Sequence, residues 1–294
     1  MANIETVRPP LIRPLTEADL QSALRLSAAA HWNQNEADWR GMLARGHGWG
    51  IEAEDPGGVA QLAASTVVLP YGDSFAWLSM VLVSPAHQRR GYASLLLRHA
   101  LAWLAAHHRT AVLDATPAGH AVYAREGFAD SWGFARYRRE HAATAPPRPQ
   151  GPPTRPLHEG DWPAIAALDL PAFGADRLPL LRALAQRWPA VARVAENGAQ
   201  LRGFMLGRDG REAHQIGPLI ASDLQTARCL IADALQVAQT PVYLDLLDRC
   251  AALLPWLQTL GFAEQRRFTR MVWGSATAPG DAATVVAVAG PELG

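Results

Sequence analysis

The chain has 294 residues, 49% hydrophobic and 18% charged, which is enough apolar side chain for a packed core and suggests two domains. Acidic and basic residues balance at 27 each, and every basic one is arginine. There is thus no excess positive charge of the kind that holds a chain to nucleic acid or to an anionic membrane surface. Two cysteines, Cys229 and Cys250, are too few for a disulfide framework or a cysteine zinc site, and no metal is expected.

In chain order, residues 20–30 have the apolar spacing of an amphipathic helix. The segment that follows holds Trp32, Asn33, Gln34 and Trp39. It is rich in polar and aromatic groups for a turn, although a tryptophan at helix spacing such as Trp39 reads better as core. Residues 49–54 and 59–69 form an expected antiparallel hairpin with Asp55-Pro56-Gly57-Gly58 as its turn. Residues 75–83 read as a strand buried on both faces, stopped by Ser84-Pro85. Next comes Gln88-Arg89-Arg90-Gly91-Tyr92-Ala93-Ser94, and then a leucine-rich helix. Small residues at a helix start leave its free N–H groups open to a phosphate, and flanking arginines add charge. The spacing matches neither common nucleotide loop. Residues 110–115 are a further buried strand. Pro117 suits the start of a helix and Gly127 its left-handed cap, with a strand pair over 128–137.

Residues 142–153 are rich in proline and alanine and read as a linker. Beyond them the chain begins again. Arg155-Pro156-Leu157-His158-Glu159-Gly160-Asp161 repeats the Arg, Pro, Leu, Glu and Asp of Arg13-Pro14-Leu15-Thr16-Glu17-Ala18-Asp19, and Leu260-Gly261-Phe262 answers Glu126-Gly127-Phe128 in the same order. These matches indicate a duplication, with domains at 10–141 and 154–274 and a tail at 275–294. In the tail, residues 276–283 read as a loop, and Val285-Val286-Ala287-Val288 is β-prone and suits an added edge strand. The first residues lack a hydrophobic signal core and no run is long enough to span a membrane. The cytoplasm is the expected location, with no membrane or nucleic-acid partner.

Gln88-x-x-Gly91-x-Ala93, set between a strand ending in Val-x-Pro and a leucine-rich helix, resembles the acetyl-CoA signature of the GCN5-related N-acetyltransferase (GNAT) family. Tyr123-x-x-x-Gly127-Phe128 resembles that family's second motif. The resemblance implies two tandem α/β domains, each a mixed, mostly antiparallel sheet with flanking helices and one splayed parallel strand pair. It implies acetyl-CoA as co-substrate, with the backbone of Val81 and Val83 meeting the pantetheine. Arg89, Arg90, Gly91, Tyr92, Ala93 and Ser94 would hold the phosphates, and Gln88 would shape the turn. Tyr123 takes the place of the acid that protonates the departing thiolate. The general base stays open among Asp114, Glu36, His31, Asp73 and His120, or a water chain. Trp32, Asn33 and Gln34 are candidates for the acceptor pocket. The second copy lacks the Gln-x-x-Gly-x-Ala run and has Leu257 where the first has Tyr123; it resembles the degenerate C-terminal halves of some bacterial tandem members. The expected activity is N-acetylation of a primary amine of a small molecule. An acyl-CoA sensor without turnover and a protein N-acetyltransferase are the alternatives, and the chain could be a monomer or a homodimer.

Overall fold

The computed structural model describes residues 10–54, 58, 60–141, 147–198 and 200–294. Most of the expected hairpin turn (55–57) and the start of the linker (142–146) lie outside the described residues. The first half runs β1 (Ile12–Pro14), α1 (Leu20–Ala29), α2 (Glu36–Arg45), β2 (His47–Glu54), β3 (Ala60–Tyr71), β4 (Phe75–Val83), α3 (Tyr92–Ala106), β5 (Thr110–Ala115), α4 (Pro117–Arg125) and β6 (Ala129–Arg139). The second half repeats this order as β7 (Thr154–Pro156), α5 (Trp162–Phe173), α6 (Leu178–Arg187), β8 (Arg193–Asn197), β9 (Gln200–Arg208), β10 (His214–Ala221), α7 (Leu224–Leu235), β11 (Val242–Leu247), α8 (Leu254–Thr259) and β12 (Phe262–Trp273), then adds β13 (Val285–Ala287).

The repeated residues do the same work in both halves. Arg13 pairs with Asp19 at 2.7 Å and with Glu52; Arg155 pairs with Asp161 at 2.7 Å and with Glu196. In each copy the aspartate also accepts a backbone N–H three residues before it, from Thr16 and from His158. The motif is therefore a clamp that ties the first strand to the turn before the first helix.

Among the described residues thirteen strands form one sheet, in the order β1-β2-β3-β4-β5-β12-β6-β11-β13-β10-β9-β8-β7. One pair in each half is parallel, β4 with β5 and β10 with β11. Two features depart from the sequence reading. The strand pair expected over 128–137 is the single strand β6, and it pairs with β11 and β12 of the second half, while β12 pairs with β5 of the first. The two halves thus exchange their last long strands. The β-prone run of the tail is also not at an edge. β13 lies between β10 and β11, with Ala287 opposite both Leu219 and Leu246.

Buried charge pairs join the exchanged strands. Asp114 of β5 accepts two hydrogen bonds of 2.9 Å from Arg270 of β12, and Asp245 of β11 accepts two of 2.7 Å from Arg136 of β6. All four side chains are buried. Arg270 lies between the rings of Trp77 and Trp132, 4.3 and 3.9 Å from their centroids, and Phe134 stacks on Phe268 across the β6–β12 pair. A buried aspartate is tolerable only with such a partner, and removing one member leaves an uncompensated charge. Arg270→Met should therefore lower unfolding stability by about 3–5 kcal/mol in a denaturant titration. Adding Asp114→Leu to it should recover most of the loss, whereas equal losses in the single and double variants would show that the pair is not what holds the strand.

Candidate active site

β4 and β5 run together only at Phe75, Ala76 and Trp77, opposite Thr110, Ala111 and Val112. Beyond that point they part. Met80 has a left-handed backbone, φ 53°, and the β3–β4 register shifts between Ser65 and Val67. Such a bulge bends the strand and increases its twist; Ser65 Oγ holds it by donating to the Met80 carbonyl at 2.8 Å. The result is a cleft whose wall includes Leu78 to Val81, Leu113, Asp114, Thr116 and Tyr123.

The loop between β4 and α3 is anchored from beneath. His87 is buried, its Nδ1 is 2.7 Å from Ser84 Oγ and its Nε2 is 2.9 Å from the Glu54 carbonyl. That carbonyl can only accept, so Nε2 carries a hydrogen and donates to it, while Nδ1 and Ser84 Oγ share the second hydrogen bond. Above this anchor Gln88, Arg89, Arg90 and Gly91 are exposed, and Tyr92, Ala93 and Ser94 open the helix half-buried. Gly91 has φ 81°, and a Cβ there would meet nothing within 4 Å. Its glycine is required by backbone angle, and the space beside it is open to a ligand. The residues fit a diphosphate: free N–H groups at a helix start, arginines alongside, and unfilled space. Val81 and Val83, half-buried, lie on the edge that β5 has left. Gly91→Ala should cost about 1–2 kcal/mol of unfolding free energy, and Gly91→Asn less, because asparagine tolerates the left-handed region. Equal losses in the two would contradict a backbone cause.

Tyr123 stands on α4 and lines the cleft, with Phe128 edge-on at 5.9 Å. Burial pushes its phenol up to about 12. Asp114 also lines the cleft. Burial pushes its carboxyl upward and Arg270 opposes that rise; since both of its oxygens accept from Arg270, Asp114 serves the strand junction. Glu36, the other named base candidate, is corrected by its position: it sits half-exposed at the start of α2, ion-paired with Arg40 at 2.8 Å, and does not line the cleft. His120 pairs with Asp130 on a partly exposed surface.

Trp32, Asn33 and Gln34 all reach the cleft wall, but in different ways. Asn33 is spent on the second half: its Nδ2 donates to the Ala213 carbonyl at 2.9 Å, and its Oδ1 accepts from the N–H groups of Glu212 and Ala213. It pins the α1–α2 connection to the β9–β10 turn. Gln34 is buried and its Oε1 has no hydrogen-bond partner. Trp39 is core, its indole N–H donating to Ser27 Oγ at 2.8 Å. The far wall comes from residues the sequence reading did not single out: Arg136, Arg266, Phe268, Pro291 and Glu292.

The equivalent region of the second half is built differently. Residues 84–91 separate β4 from α3, but only Ser222 and Asp223 separate β10 from α7. Asp223 caps that helix, accepting from the Thr226 N–H at 2.7 Å, which puts a carboxylate where a phosphate would bind. Leu257 is fully buried. β13 fills the gap between β10 and β11, and Val288 N–H donates to the Asp245 carbonyl at 3.1 Å. Among the described residues no group of three or more metal-ligating side chains occurs, and no helix is long and apolar enough to cross a membrane.

Comparison with known proteins agrees with two domains of one kind. The model of the acetyltransferase (GNAT) family matches residues 16–128, and that of an acetyltransferase (GNAT) domain matches residues 165–287. The chain belongs to the GNAT family, as a tandem-domain N-acetyltransferase. A provisionally assigned acetyltransferase from Pyrococcus horikoshii has the same fold over 100% of this chain and 99% of its own, with TM-score 0.78 and 20% identity. A GCN5-related N-acetyltransferase from Sphaerobacter thermophilus is similar over 92% of this chain and 96% of its own, with TM-score 0.65 and 17% identity. A tandem GNAT protein from the clavulanic acid biosynthesis pathway covers 90% and 98%, with TM-score 0.65 and 18% identity. At these identities the likeness is one of fold. No curated protein matches the chain at a significant level.

Proposed function

We propose that the first-half cleft transfers the acetyl group of acetyl-CoA to a primary amine of a small molecule. The observation that carries this reading is the parting of β4 from β5 beyond Trp77, with the open loop at Gly91 and the half-buried Tyr123 both on that one half. The β4 edge around Val81 and Val83 offers backbone groups to the pantetheine amides. The first N–H groups of α3, with Arg89 and Arg90, take the phosphates, and Gln88 shapes the turn. Acetyl-CoA supplies an activated acyl thioester.

The transfer forms a nitrogen–carbon bond and breaks the carbon–sulfur bond; the amine loses a proton to a base, and the sulfur leaves as a thiolate that takes its proton from solvent. Tyr123 holds the sulfur end. Burial raises the phenol to about 12, so Tyr123 is protonated at neutral pH and stands as a hydrogen-bond donor. Its part is a hydrogen bond from a phenol that stays protonated, strengthened as charge grows on sulfur. Unpartnered buried polar atoms in the cleft, Gln34 Oε1 and Ser79 Oγ, favour a polar acceptor that is turned over. The residues 291 and 292 that wall the cleft favour a small molecule over a protein segment.

Tyr123→Phe is expected to lower kcat by about 10²-fold and to change the dissociation constant of acetyl-CoA by less than about threefold. The readouts are thiol release and calorimetry. With the phenol at about 12, wild-type kcat should show no fall assignable to Tyr123 between about pH 8 and 10. Unchanged kcat in the variant at saturating substrates would remove Tyr123 from the mechanism, and tight acetyl-CoA binding with no turnover of any amine would replace the enzyme reading by that of a sensor.

A further inference from the structure

Four charged side chains line the first-half cleft, and their partners can be set against one another. Asp114 is matched by Arg270, and Arg136 by Asp245. The other two, Glu292 and Arg266, are not fully matched.

Glu292 is 2% exposed. One of its oxygens accepts from Arg208, itself wholly buried; the other, Oε2, is buried without any hydrogen-bond partner. A buried carboxylate oxygen left without a donor is costly, and its place in a cleft wall means that a bound ligand can supply the missing donor. The backbone delivers it there rigidly. Trp77 Nε1 donates to the Pro291 carbonyl at 2.9 Å, Tyr71 Oη to the Leu293 carbonyl at 2.9 Å and Arg177 Nη1 to the Gly294 carbonyl at 2.6 Å. Gly290 has φ 139°, and a Cβ on it would lie 2.9 Å from Glu292 Oε2, so the carboxylate folds back over a residue that must lack a side chain. Upstream, the same segment is β13, held between β10 and β11.

Arg266 comes from β12 and stands beside Arg136. Among the described residues no carboxylate lies within ion-pair distance of it; burial followed by the charge of Arg136 lowers its guanidinium from the usual range, opposed more weakly by Tyr243 and by Asp245, which is already paired with Arg136. A half-buried cation next to another cation is favoured only when an anion joins it.

We infer that the acceptor is an amine that also carries an acidic group: its nitrogen docks on Glu292 Oε2, which takes the amine proton, and its acid group docks on Arg266. This rests on the first-half cleft being the amine site. Glu292 is then a catalytic residue supplied by the chain segment that fills the second half's own groove, and Arg266 sets specificity.

The test uses the full chain and the thiol-release assay. The acceptors are glycine, β-alanine, 4-aminobutyrate and the standard L-amino acids, each beside its carboxamide. Wild type should favour at least one acid over its amide by about tenfold or more in kcat/KM. Arg266→Gln should erase that preference, falling on the acid and changing by less than about threefold on the amide. Glu292→Gln should lower kcat/KM for both by about 10²-fold while acetyl-CoA affinity holds. Should E292Q fail to fold, Glu292→Asp keeps the charge, withdraws it by one methylene, and is expected to fall in the same direction. Equal use of acids and amides by wild type, an equal loss on both classes in R266Q, or undiminished turnover in the Glu292 variant would overturn the inference while leaving acetyl transfer standing. Acetyl-CoA binding with no amine acetylated at all would overturn the proposed function and this inference together.

Discussion

The two buried aspartate–arginine pairs, Asp114 with Arg270 and Asp245 with Arg136, are the interaction on which the rest of this structure depends. Each joins the fifth strand of one half to the exchanged strand of the other, and the two are related as the halves are related. Taking these charges out of water is costly, and apolar side chains of similar volume would hold a sheet as well or better. What the pairs add is specificity of pairing. A register slip of one residue would turn Asp114 and Arg270 to opposite faces of the sheet and leave both buried alone. The pairs thus define which strand lies beside β5, and so where β4 and β5 can part.

From that junction the asymmetry of the molecule follows. Both halves carry a parallel pair that separates, but they use the opening differently. In the first half it is left empty of protein, with a long loop and a glycine at its mouth. In the second half the loop is reduced to Ser222 and Asp223, a carboxylate covers the helix start, and β13 pairs with both strands. A groove shaped to accept an extended chain by its backbone has taken one from its own polypeptide. The same segment then crosses to the first half, where Tyr71 and Trp77 grip its carbonyls, while Arg177 of the second half holds its last one. The second half and the tail furnish Arg266, Phe268, Pro291 and Glu292 to the far wall of the cleft.

Much of this was legible from residue order because it is local. The phosphate-type loop is a strand stop, small residues and a helix start within a dozen positions; Tyr123 and Gly127 lie within one helix and its cap. The repeated Arg-Pro-Leu and Glu-x-Asp spacing is legible because the clamp it builds closes within seven residues. What was not legible is long-range. Nothing in the sequence near Arg136 or Arg270 says that the strands carrying them trade places, since each would suit an ordinary hairpin equally well. The run 285–288 is β-prone wherever it lies, and its place inside the sheet depends on a gap made by residues some forty and seventy positions earlier. Glu292, in a Gly-Pro-Glu-Leu-Gly run, reads as a turn. Asn33 carries the right chemistry for a pocket, but the β9–β10 turn takes all of it.

The claim that ties these points together is that one half works and the other is filled by its own chain. Calorimetric titration of the full chain with acetyl-CoA tests it most directly. One site per chain is the expected result, and one site should persist when Asp223 is replaced by Ser, because β13 still occupies the groove. Two sites per chain in either protein, or a single site that survives disruption of the first-half loop at Gly91 with its affinity intact, would contradict it.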